Sequence, residues 1–139
     1  MNCARLALAS AFVLLLAAPA AALPPLPPYV ARHYESQPEF AKFAAAFNGQ
    51  KLKCNACHKP GADKKAKGHG LNDFGEAVHK HLKHKEFLAA NMAKADNPAE
   101  AAKAVKLVAD ALKAAEAEKN AEGKTYGELM KAGLLPGKS

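Results

Sequence analysis

The apolar positions divide the chain into a leader, a spacer and a series of amphipathic segments. Leu6 to Ala18 is a largely apolar run centred on Phe12, Val13, Leu14, Leu15 and Leu16, with Arg5 before it and Ala20-Ala21-Ala22 after it. That order predicts a secretory signal peptide over 1–22, cut after Ala22 or alternatively after Ala20. About 13 apolar residues fall short of the ~20 needed to span a bilayer, which argues against a retained anchor. Cys3 precedes the run, so it is not a lipobox cysteine and leaves with the leader. The next stretch, LPPLPP at 23–28, reads as an extended proline-rich spacer, and the lead as a whole is placed at 23–35.

From residue 36 onward the apolar residues recur at helical spacing. Ser36-Gln37-Pro38-Glu39 has the form of a capping box, and Phe40, Phe43 and Phe47 follow on one face, predicting a helix over 37–48 that stops at Asn48-Gly49. Residues 50–70 are rich in turn formers and predict a loop without a regular element. Leu71, Phe74, Val78 and Leu82 give the next stripe, with Asn72 or Asp73 available as a cap. Phe87, Leu88 and Met92 predict a short helix ending near Asp96. Asn97-Pro98 opens the longest helix, about 98–119, with Val105, Val108 and Leu112 on its buried side. Thr125-Tyr126-Gly127-Glu128 repeats the capping box before Leu129, Met130 and Leu134. No segment alternates as a strand does and no repeat recurs, so the prediction is one all-α domain over 36–139.

Charge changes this picture locally. The formal net charge is +7. Residues 51–85 carry nine lysines against Asp63, Asp73 and Glu76, and five of the six histidines lie there too. The rest of the chain beyond the leader is neutral. Only Cys54 and Cys57 survive removal of the leader, and a disulfide between them would close too small a loop to stabilise much.

Cys54-Asn55-Ala56-Cys57-His58 is the C-x-x-C-H pattern. Two thiols three residues apart on one turn can reach the two vinyl groups of a haem, and the next residue can present an imidazole to the iron. A zinc site lacks a second C-x-x-C, and a thioredoxin-like redox pair lacks its strands. The pentapeptide resembles that of the c-type cytochromes, and Gly68-His69-Gly70-Leu71 is similar to the Gly-Pro-x-Leu segment that lines the proximal side of many of them. An aromatic residue usual about four positions before the first cysteine is missing; Phe47 lies seven before it.

The resemblance implies a small cytochrome c-like domain around one haem c. Thioethers at Cys54 and Cys57 and proximal iron ligation by His58 follow from it. The implied protein is an exported, periplasmic electron carrier rather than an enzyme. A haem-based gas sensor with a weak or absent sixth ligand is the alternative. The sixth ligand is left open among Met92, Met130, His69, His81 and none. Both methionines fall on apolar helix faces, where core packing is the expected role. The lysine-rich 51–85 segment suggests docking of an acidic redox partner, weighed against a plain solubilising role. Nucleic acid is not expected as a partner, nor is membrane insertion after cleavage.

Overall fold

The computed structural model describes residues 26–48, 52–63 and 69–137. The leader expected over 1–22 lies outside them. The described residues are helical, with no strand among them, as the apolar spacing predicts. The helices are α1 (Leu26–Glu35), α2 (Ala41–Asn48) preceded by a 3-10 turn at Pro38–Phe40, α3 (Leu52–Asn55), α4 (Asp73–His81), α5 (His84–Ala93), α6 (Pro98–Glu116) and α7 (Tyr126–Lys131).

α6 organises the core. Its inward face is Ala104, Val108, Ala111, Leu112 and Ala115, all buried. Alanine at most of these positions lets neighbouring helices come close, and α4, α5 and α1 all pack along it. Asn97 caps the helix, its side chain accepting from the Ala99 and Glu100 amides, and Pro98 occupies the first turn where no amide hydrogen is needed. α7 carries the predicted box in full: the Thr125 hydroxyl accepts from the Glu128 amide and the Glu128 carboxylate accepts from that of Thr125.

Aromatic rings fill the space between α1, α2 and α6. Phe40, Phe43 and Phe47 are buried as their spacing predicts. Tyr34 stands edge-on to Phe40 and Phe43, with ring centroids 5.1 and 5.0 Å away. Phe74 meets Tyr126 at 5.5 Å, and Phe87 meets Tyr29 at 5.4 Å.

Four expectations are corrected. Residues 26–28 are not an extended spacer but the first turn of α1, whose Val30 and Tyr34 are buried, so the core begins upstream of residue 36. Ser36 caps nothing downstream, because its hydroxyl donates to the His33 carbonyl at the end of α1. The 50–70 segment contains one helical turn, α3. Met92 is 82 % exposed, not packed in a core.

Candidate functional site

The C-x-x-C-H pentapeptide begins on α3 and leaves it in a tight turn. The Cys57 and His58 amides both donate to the Cys54 carbonyl, at 3.3 and 2.9 Å. This puts Cys54, exposed, and Cys57, half-buried, on one turn with both thiols free. The Cys57 sulfur is enclosed against the aromatic cluster, and that burial, aided by Cys54, pushes its thiol up to about 12.

His58 is oriented from across the loop. The Lys59 amide donates to the Gly70 carbonyl at 2.8 Å and the Asn72 amide donates to the Cys57 carbonyl at 2.9 Å, pairing His58 with Leu71 in an antiparallel bridge. His69 and Gly70 both adopt the left-handed conformation, φ 55 and 58°. That turn aims the His69 carbonyl at His58 Nδ1, 2.8 Å away. A carbonyl can only accept, so Nδ1 must carry the hydrogen. Nε2 of the neutral ring is then left with its lone pair, in the tautomer a metal ligand needs.

Asn72 fixes the turn from beneath. It is the buried polar side chain of the described core. Its Nδ2 donates to the carbonyls of Asn55 at 3.0 Å and Ala56 at 3.1 Å, while its Oδ1 accepts from the Gly75 amide at 2.8 Å and so caps α4. One residue thus joins the cysteine turn to a helix start. The neighbouring backbones touch: a Cβ on Gly75 would run into the Cys57 carbonyl oxygen, and one on Gly137 would overlap the Asn72 amide. Sequence reasoning found Asn72 only as a cap. Its second role depends on a register between 55–57 and 72 that no local pattern encodes.

No family model, curated protein or solved structure matches the chain. The site is therefore read from its own geometry.

The sixth-ligand candidates are dispersed. Met130 is fully buried on α7 and Met92 projects to solvent from α5. His81 Nε2 is 2.6 Å from the Glu118 carboxylate, which also accepts from Lys80 at 2.9 Å. Lys80, then His81, hold the Glu118 carboxyl below its usual range. His69 lends its carbonyl to His58. Of the nine lysines, 51, 64, 65 and 67 lie outside the described residues; Lys59, Lys80, Lys83 and Lys85 are exposed.

The Tyr34 hydroxyl was not anticipated. It is buried, with the Glu116 carboxylate beside it as an acceptor. Burial, then the Glu116 carboxylate and the Cys57 thiol nearby, push its pKa far upward, so it remains a donor.

Proposed function

We propose that the chain is an exported monohaem c-type cytochrome that carries electrons, with haem c held by thioethers at Cys54 and Cys57 and iron ligated by His58. The observation that carries this reading is the His58 Nδ1 hydrogen bond to the His69 carbonyl. It selects the ligating tautomer directly beside two unpaired thiols. The donor set suits the group in other respects: Cys57 offers an attachment at the edge of the aromatic core and Cys54 one at the surface. Such a group would supply an iron that alternates between ferrous and ferric states. The chain would orient the fifth ligand, exclude water from its inner edge and present the lysines of 51–85 to an acidic partner.

A second reading, a gas-binding or sensory haem protein, draws on the placement of the candidate sixth ligands. Met130 is sealed in the core and His81 is engaged by Glu118. No helix among the described residues is long and apolar enough to cross a membrane, and the expected leader over 1–22 is the basis for assigning the mature protein to the periplasm.

The deciding experiment is intact mass after expression with a haem-attachment system. One haem beyond the mass of the polypeptide starting at Leu23, or Ala21 for the earlier cut, is expected. Haem that extracts into acidified organic solvent would overturn covalent attachment. Cys54→Ala and Cys57→Ala should leave a single thioether or little holoprotein. A low-spin spectrum indifferent to carbon monoxide supports the carrier, and a high-spin one that binds it supports the sensor.

A further inference from the structure

The chain has three methionines, and Met1 falls in the expected leader, so two remain in the mature protein. They sit at opposite extremes: Met130 on α7 is fully buried, and Met92 on α5 is 82 % exposed. The core face of α5 is Phe87 and Ala90. Two residues on from Ala90 the helix has turned about 200°, so Met92 points away from the core. The helix is anchored at that end. The Tyr29 hydroxyl donates to the Asn91 side-chain oxygen at 2.8 Å, and Lys94 Nζ donates to the same atom at 2.9 Å. The Met92 thioether is therefore held out in solvent by an ordered turn.

We propose that Met92 is a site of reversible oxidation by peroxides, and the methionine of the mature chain that reacts while the fold is intact. In the forward step a lone pair on the Met92 sulfur attacks one oxygen of hydrogen peroxide. The S–O bond forms as the O–O bond breaks, giving a hydroxysulfonium and hydroxide. A proton passes from the first to the second and leaves a sulfoxide and water. Sulfur loses two electrons and the peroxide gains them. The return step takes two electrons and two protons from a dithiol, which becomes a disulfide as the oxygen departs in water. Methionine sulfoxide reductases catalyse that return.

Exposure decides both directions. Peroxide needs contact with the sulfur lone pair, and a reductase needs the side chain inside its own active site. Met92 offers both from the surface of α5. Met130 offers neither unless the core opens. The product fits the same contrast. A sulfoxide is polar and disrupts a packed core, whereas at Met92 it faces water. No atom of Cys54, Cys57 or His58 takes part, so the site holds or fails independently of haem attachment.

The test is oxidation of the purified mature protein with dilute hydrogen peroxide, followed over time by peptide mass mapping. The mapping separates oxygen added at Met92 from oxygen added at the sulfurs of Cys54 and Cys57. One oxygen on the Met92 peptide is expected. Met130 should react at least about a hundredfold more slowly, because only rare opening of the core uncovers its sulfur. Unfolding in urea should bring the two rates together, and oxidation at Met92 should leave the urea midpoint unchanged. Methionine sulfoxide reductases supplied with a dithiol should then return the Met92 peptide to its original mass. Met92→Leu should take up no oxygen on that peptide and leave Met130 as slow as before. Met130 oxidised as fast as Met92 in the folded protein, or Met92 unreacted while free methionine is consumed, would overturn the proposal. So would a Met92 sulfoxide that the reductases leave untouched. These three readouts use the native sequence and need no variant to fold.

Discussion

Replacing Asn72 tests the architecture of the cysteine turn. In Asn72→Ala the α4 cap is lost, worth about 1 kcal/mol. The Asn55 and Ala56 carbonyls also lose a donor in an enclosed setting, at about 1 kcal/mol each. The expected total is about 3 kcal/mol, a large share of the 5–15 kcal/mol that holds a typical domain together. With a urea slope near 1.5 kcal/mol/M the unfolding midpoint should fall by roughly 2 M. Asn72→Ser keeps an acceptor for the Gly75 amide but cannot reach both carbonyls, so it should lie between Ala and the native residue. Asn72→Asp is the sharper test. It is isosteric and caps helices well, yet it points an acceptor at two carbonyls where the native side chain donates. Far-UV dichroism through a urea series gives all three values. If Asp equals Asn in stability, Asn72 is a helix cap and nothing more, and the clamp does not exist.

Other predictions follow from neighbouring contacts. Gly75→Ala should destabilise by about 2 kcal/mol or more, because the added methyl meets the backbone of Cys57 rather than a yielding side chain; a normal urea midpoint would contradict the close approach. The lowered pKa of His79 means the folded state resists its protonation, so its contribution is intact above the ordinary histidine value of about 6.5 and is lost as pH falls below it. His79→Gln should accordingly lose less stability than wild type between pH 7.5 and 5.5, and parallel losses would remove the effect. If the lysine-rich segment docks an acidic partner, joint reversal of Lys64, Lys65 and Lys67 to glutamate should slow electron transfer and weaken its salt dependence. The same change at Lys103, Lys106 and Lys113 should slow it less; equal slowing would leave only net charge.

What the sequence reveals here is what local patterns encode. The Asn97-Pro98 start of α6, the Thr125–Glu128 box and the phenylalanine face all depend on residues within two turns of one another. Failures arise where a pattern has two physical outcomes. Prolines 27 and 28 suggest an extended spacer, yet in the first turn of α1 their missing amide hydrogens have no partner to lose. Ser36-x-x-Glu39 has the letters of a box, but the end of α1 claims the hydroxyl first. Met92 is about 140° around α5 from buried Phe87, so apolarity alone misplaces it. The pentapeptide at 54–58 stands out in the sequence. The His69 carbonyl that orients His58, the Asn72 clamp and the buried Tyr34 hydroxyl do not, because each depends on a fold that joins distant segments.

The contact between Gly137 and Asn72 sets an order of events. A chain emerging from its N-terminus presents residues 54–72 early, and the pairing of 57–59 with 70–72 spans few enough residues to form at once. Buried Pro136 and its neighbour Gly137 arrive much later, and only then is the outer side of the Asn72 amide covered. Until then the Asn72 side chain that holds the Asn55 and Ala56 carbonyls lacks its C-terminal cover, so the last part of the described chain completes the packing around a clamp set up much earlier.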